Sequence, residues 1–303
     1  MIDVIIPAFN AHETIERALN SLVQQINKEF LKVYIVNDGS DSDYSNIIKN
    51  YSEELDIEQI NIENSGPGFA RQKGIDCSKN EYILFLDADD YLYDEYSLIN
   101  LLQAIKGNDV AQGNFIEKSI DGERVLSPQY CYLHGKLFRR SIIEKNKLKF
   151  DVCKKNQGDI YEDSTFNQLY YICCDAFGTT EKIVYVYEYN SNSLTKKEVN
   201  SAANLHNFVE AMNWLTNEIK KRKKDTAAIA WNYCLMCFHC YFHYLSSPET
   251  NDFIFREIKN IKKIYKKYEN EVSYDEKLSI YKSFDFPVIP TITFYDFLDK
   301  CEG

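Results

Sequence analysis

At 303 residues the chain is long enough for two domains or one large one, and a composition 45% hydrophobic and 14% aromatic excludes a disordered polypeptide. A net charge of −11 argues against general electrostatic binding to nucleic acid, although a local basic patch stays open. Met1 runs into strand-like sequence with no basic leader, and the most apolar late run, Tyr233 to Leu245, is short of the ~20 residues a membrane span needs. Nine scattered cysteines, odd in number and without a secretion signal, read as free thiols in a reducing cytosol.

The first half alternates strand and helix. Ile2–Ile6 reads as a strand stopped by Pro7, followed by the loop Ala8-Phe9-Asn10. His12–Gln25 places Ile15, Leu19, Leu22 and Val23 on one helical stripe, with Thr14 or Asn10 as cap. Leu31–Val36 is a second buried strand, ending in the turn-rich loop Asn37 to Asp43, whose Ser42 or Asp43 can cap a helix carrying Ile47, Ile48 and Tyr51. Leu55–Ile62 is a third strand. Asn64-Ser65-Gly66-Pro67-Gly68 then leads into a helix over Phe69–Cys77 and a fourth strand, Tyr82–Leu86. Four strand–helix alternations predict βαβ units and a mostly parallel sheet with right-handed crossovers.

The fourth strand carries five unbroken apolar or aromatic residues, as expected of a strand buried on both faces. Three carboxylates follow, Asp87, Asp89 and Asp90, with Ala88 between the first two. Uncompensated charge is too costly to bury in a core, so these residues belong at the strand's C-terminal end, the edge where open α/β sheets bind ligands. Asp87 and Asp89, two apart, project to the same side if the strand conformation persists. Two hard oxygen donors suit Mg²⁺ or Mn²⁺, and such a metal suits a phosphate-bearing ligand. A helix N-cap at Asp90 or Asp94, or a solvated turn, competes with that reading. The loops Phe9-Asn10, Asn37-Asp38-Gly39 and Glu63-Asn64 fall on the same edge and with it outline a nucleotide-sized crevice.

Further along, Asp94–Lys106 reads as a helix, Asp109–Ile120 as a strand and Asp121-Gly122 as a turn. Tyr132–Phe138 leads through Gly135-Lys136-Leu137 into a basic helix, Arg139–Lys147. The acidic Asp159 to Asp163 opens a helix over Ser164–Ile172, and Ile183–Tyr189 is a strand. Beyond Asn200 the pattern turns helical, at Ala202–Lys221, Thr226–Leu245, Phe253–Lys267 and Ser273–Ser283. Residues 1–197 are therefore expected to form one domain, with a nucleotide half 1–92 and an acceptor half 93–197, and 198–303 a helical region. The spacing of Cys234, Cys237 and Cys240, near His239 and His243, fits one apolar helix face better than a zinc site. The Lys-rich segments Lys220 to Lys224 and Lys259 to Lys267 read as solvated faces, with peripheral contact to an anionic inner-membrane surface as the second reading.

Several of these stretches together resemble the family 2 glycosyltransferases, of the bacterial polysaccharide and cell-surface glycan type, which have the GT-A fold. They are Ile5-Ile6-Pro7-Ala8-Phe9-Asn10, Val36-Asn37-Asp38-Gly39-Ser40, Gly66 to Gly74, Phe85-Leu86-Asp87-Ala88-Asp89-Asp90, Gly135-Lys136-Leu137-Phe138-Arg139 and Tyr161-Glu162-Asp163. The resemblance covers Val4 to about Thr195 and lies in the order and spacing of the motifs rather than in any one of them. It implies transfer of a sugar from a nucleoside-diphosphate donor, by family frequency a UDP-sugar, to a hydroxyl of a glycan, lipid-linked or protein-linked acceptor. It implies Pro7, Phe9, Asn10 and Asp38 at the base and ribose, Gly68 and Arg71 near the nucleotide, and Asp87 with Ala88 by the ribose. Asp89 would bind the Mn²⁺ or Mg²⁺ that bridges the phosphates, and Asp163 would be the catalytic base with Glu162 beside it. Lys136 would help at the diphosphate or acceptor side. Asn37 and Gln72 depart from the usual residues and bear on donor identity. The implied setting is the cytoplasm or the cytoplasmic membrane face, and the helical C-terminus is the expected place for oligomer contacts.

The residues support that chemistry on their own account. Asp38 can accept hydrogen bonds from a base or ribose, with a local Asx-turn as the alternative. Glu162 and Asp163 fit a base near the acceptor or simply an acidic helix start, and both can hold together. Arg71 is otherwise a surface ion pair. Two other functions compete: a non-catalytic nucleotide-sugar-binding scaffold, and a Mg²⁺ phosphohydrolase with a nucleophilic Asp87. The hydrolase fits poorly, because its motif belongs on a first strand and Asp87 follows the fourth.

Overall fold

In the computed structural model, residues 1–127, 132–150 and 161–190 are described, together with seven positions between 211 and 222. The chain divides into two compact units, Met1–Asn192 and Ser193–Gly303. The seven positions are helical and six of them fall on the helix expected over Ala202–Lys221; the later helices and the cysteine–histidine stretch lie outside the described residues.

The first unit is a nine-stranded mixed sheet with helices on both faces. Its parallel part is β3 (Asp56–Ile62), β2 (Leu31–Asp38), β1 (Ile2–Ala8) and β4 (Tyr82–Phe85), in that spatial order. The helices α1 (Ile15–Val23), α2 (Ser45–Tyr51) and α3 (Pro67–Cys77) make the crossovers. Beyond β4 the order runs β8 (Lys136–Arg139), β6 (Val110–Ser119), β9 (Phe177–Tyr187) and β5 (Tyr91–Leu92), with the hairpin strand β7 (Gly122–Leu126) on β6. β8 is antiparallel to both β4 and β6, β6 and β9 run parallel, and β5 returns antiparallel on β9. The helices α4 (Ser97–Ala104), α5 (Arg140–Asn146) and α6 (Glu162–Ile172) complete the unit.

Pro7 does not stop β1, which pairs with β2 as far as Ala8. The Leu86 amide donates to the Ile5 carbonyl on the β4 side, and β1 and β4 are in register only from Ile2 to Ile5. In a parallel strand residue 7 offers its amide to the same side as residue 5, so the missing N–H falls where the pairing has ended. The long helix expected from His12 begins at Ile15, and β5 and β7 are too short or too polar to show as strands in the sequence.

Alternation along β1 and β4 builds two cores. Ile2, Val4, Ile6, Leu84 and Leu86 pack with Leu19, Leu22, Leu98 and Leu101 of α1 and α4 on one face. On the other face Phe85 meets Phe138, Phe150 and Phe166 at ring distances of 5.5, 5.6 and 5.8 Å. Phe166 stacks on Phe150, and the Tyr170 hydroxyl accepts from the Arg139 amide and donates to the Asp109 carbonyl. These contacts lay α6 across the sheet with its first turn at the C-terminal edge of β4.

Gly178 on β9 lies against α4: a Cβ there would stand 2.7 Å from the Ala104 carbonyl carbon and collide with its oxygen. Because the obstacle is backbone, Gly178→Ala is expected to cost ~1–3 kcal/mol, read as a lowered denaturation midpoint at unchanged slope. Among the described residues no helix is long and apolar enough to cross a membrane.

Candidate active site

The strand-end loops are tied to one another through side chains. Asn10, in a left-handed conformation (φ 49°), accepts from the Asp41 amide, while its own amide N–H donates to Ser40 Oγ at 3.0 Å. Asp38, buried at the end of β2, accepts the Ser65 and Gly66 amides, one on each carboxylate oxygen, both at 2.8 Å. Burial pushes its carboxyl upward and those two amides oppose the shift. Asp38 thus orients the loop that starts α3, rather than closing an Asx-turn of its own. Gly39 (φ 75°) lets that loop approach, since a Cβ would lie 2.7 Å from the Asn64 nitrogen. Phe9 is exposed above this edge, Pro7 is half-buried, and Gly68 is buried in the first turn of α3.

Arg71 is the buried hinge of the site. One terminal nitrogen donates to Glu162 at 2.7 Å and the other to Asp87 at 2.6 Å. The side chain is 7% exposed, as is that of Glu162, whereas that of Asp87 is 33% exposed. Burial alone would weaken the guanidinium's hold on its proton, but Asp87, Glu162 and Asp163 outweigh it and the net shift is upward. Its Nε is buried without a hydrogen-bond partner. Both terminal nitrogens are therefore taken by protein carboxylates. Through them α3, the β4 edge and the start of α6 are locked together.

Asp163 follows Glu162 in the first turn of α6. Its Oδ1 accepts the Ser164 amide at 2.6 Å. Burial raises its pKa above the ordinary 3.8, with Arg71 the largest opposing influence. Lys136 is fully buried, lies 5.2 Å from the centre of the Tyr171 ring and donates to the Tyr132 carbonyl.

The carboxylates after β4 divide differently from expectation. Asp89 is half-buried, and its Oδ2 accepts the Asn190 side-chain amide at 2.8 Å. Burial raises its pKa, the Asn190 bond lowers it and the neighbouring Asp87 raises it. Ala88 is buried between the two. Asp90 is not a helix cap: it is fully buried and accepts the Tyr185 hydroxyl at 2.7 Å and the Glu188 amide at 2.8 Å. Asp94 accepts the Tyr96 amide and the Ser97 hydroxyl in the turn just ahead of α4, whose N-cap, Tyr96, has no side-chain cap bond.

Sequence reasoning passed over His134. Its ring stacks with Tyr132, Tyr185 and Tyr187 and meets Phe115 edge-on. Burial, then the Lys136 charge, lowers its pKa to about 3, so it is neutral. Its place just before Gly135-Lys136 was the one available signal.

The sequence profile of the family described as "Glycosyl transferase family 2" matches residues 3–158, just over half of the chain. The chain belongs to this family. The matched stretch holds all the strand-end loops and Arg71, and stops short of Glu162 and Asp163. A poly(ribitol-phosphate) beta-glucosyltransferase of Bacillus spizizenii is 27% identical over 255 residues, 75% of this chain and 38% of that protein. The chain thus spans well under half the length of that relative. The crystal structure of S. aureus TarS residues 1–349 superposes with a TM-score of 0.71 at 18% identity, over 93% of this chain and 86% of that one. Its complex with UDP-GlcNAc gives a TM-score of 0.64 at 19% identity, over 93% and 79%. The shared fold is the GT-A type.

Proposed function

We propose that the chain is a glycosyltransferase that moves a sugar, with inversion, from a UDP-sugar to a hydroxyl of a glycan, lipid-linked or protein-linked acceptor. The observation that carries this is the Arg71 bridge. It ties Asp87 at the β4 edge to Glu162, the neighbour of Asp163, in a family 2 domain. The relative that is a poly(ribitol-phosphate) beta-glucosyltransferase and the UDP-GlcNAc complex of TarS support the acceptor and donor classes.

Asp89 suits a divalent metal, Mn²⁺ or Mg²⁺. Among the described residues no group of three or more His, Cys, Asp or Glu side chains forms a ready-made centre. A lone carboxylate at a strand edge fits the Mg²⁺ pattern, in which one or two carboxylates, water and substrate phosphates share the coordination. When bound, the metal supplies positive charge against the departing diphosphate.

The chain's own residues do the rest. Asp38 orders the Ser65-Gly66 loop, Phe9 offers an exposed ring to the base, and Asp87, fixed by Arg71, faces the ribose. The acceptor oxygen attacks the anomeric carbon while the bond to the diphosphate breaks, the electron pair leaving on UDP. Asp163 takes the acceptor proton at Oδ2, since Oδ1 is occupied by the Ser164 amide. The positive charge of Lys136 on β8 opposes the effect of burial on Asp163 and favours its ionised form.

A thermal-shift panel of UDP-, GDP- and dTDP-sugars, each with Mn²⁺, tests the reading. The expected result is stabilisation by a UDP-sugar, about 2.7 kcal/mol at a hundred times the dissociation constant. Stabilisation by none of them would contradict it.

A further inference from the structure

The buried Asp90 has no part in the chemistry above. The strand that holds it is nonetheless the one that frames the acidic loop. β5 pairs with β9 at Tyr91↔Val186 and Leu92↔Tyr185, and the Tyr93 amide donates to the Val184 carbonyl. Tyr185 is fully buried, and its hydroxyl serves two neighbours. It donates to Asp90 Oδ2 at 2.7 Å and accepts the Asp87 backbone amide at 3.3 Å. Asp90 Oδ1 accepts the Glu188 amide at 2.8 Å, and two residues later Asn190 reaches Asp89. Arg17 of α1 donates to the Asp89 carbonyl and lies 3.6 Å from the Glu188 carboxylate.

We infer that Tyr185 and Asp90 are positioning residues: together they pin the backbone of Asp87 to β9 and thereby set where the Asp87 and Asp89 side chains stand toward a nucleotide diphosphate. The hydroxyl is the only side-chain group that joins Asp90 to the Asp87 amide among the described residues. A carboxylate this deeply buried is kept without solvent only because two donors satisfy it. Its second oxygen fixes the β9 tail that supplies Asn190. The arrangement is therefore a frame around the loop. The inference rests on the nucleotide-sugar reading of the site.

Titration calorimetry of UDP in the presence of Mn²⁺ tests it, on wild type, Tyr185→Phe and Asp90→Asn. Groups that orient a metal-side loop typically carry ~10–100-fold in affinity, so Tyr185→Phe is expected to raise the UDP·Mn²⁺ dissociation constant by at least tenfold. Asp90→Asn keeps an acceptor for one of the two donors and is expected to fall between. A merely structural role would lower the binding-competent fraction, and hence the stoichiometry, at an unchanged dissociation constant. Wild-type dissociation constants in whichever of the two variants folds would overturn the inference. Absence of UDP·Mn²⁺ binding by the wild type would instead overturn the site reading on which it stands.

Discussion

Asp163→Asn is expected to cut sugar transfer to a small residual rate while leaving UDP binding within a few-fold of wild type. Asparagine keeps the shape and can still accept the Ser164 amide, but it cannot take the acceptor proton. A positioned base contributes ~10²–10⁴-fold to the rate, and that factor should disappear from kcat. The pH profile gives the same residue a second signature. Burial holds the Asp163 pKa above 3.8, so the base is protonated and idle at pH values where an exposed aspartate would already be ionised. Activity should therefore rise with pH through that raised pKa, and the rising limb should be missing from the residual activity of Asp163→Asn. Full turnover by the variant would remove Asp163 from the mechanism.

Arg71→Met is expected to cost about 3–5 kcal/mol of folding stability, the range for removing one partner of a buried ion pair. Most of the loss belongs to Glu162, whose side chain is 7% exposed and would lose the guanidinium that balances its buried charge. Asp87, at 33% exposure, can turn to solvent and contributes less. Urea denaturation should show a lowered midpoint, and the double variant Arg71→Met with Glu162→Gln should recover part of the loss because the stranded charge is gone. If the double variant were no more stable than Arg71→Met alone, Glu162 would not be the group that needs the arginine.

The course of the chain explains which features its sequence reveals. Tyr82–Leu86 announces a doubly buried strand, because a run of apolar residues can be satisfied only inside a sheet. The polar loops that follow each strand are equally visible, and parallel pairing of β3, β2, β1 and β4 does bring them to one edge. Asp89 and Asp163 stand out as carboxylates at places where solvent or a ligand can meet them. Asp90 is indistinguishable from its neighbours in sequence, yet it is the buried one. Its partners, Tyr185 and Glu188, lie 95 and 98 residues downstream, and nothing local marks them. Arg71 reads as a nucleotide contact for a similar reason: the Glu162 that engages it is 91 residues away. The antiparallel half of the sheet is harder still, since β5 is two residues long and takes its strand character wholly from β9.

In the proposed mechanism Asp89 and the nucleotide diphosphate together hold a divalent cation at the β4 edge. The electron paramagnetic resonance signal of free Mn²⁺ measures this directly. Wild-type protein is expected to take up about one Mn²⁺ per chain when UDP is present and far less without it, as for a site that one carboxylate and the substrate phosphates complete jointly. Asp89→Asn should lose that UDP-dependent uptake while keeping its fold. Equal Mn²⁺ uptake by Asp89→Asn and wild type in the presence of UDP would contradict the account.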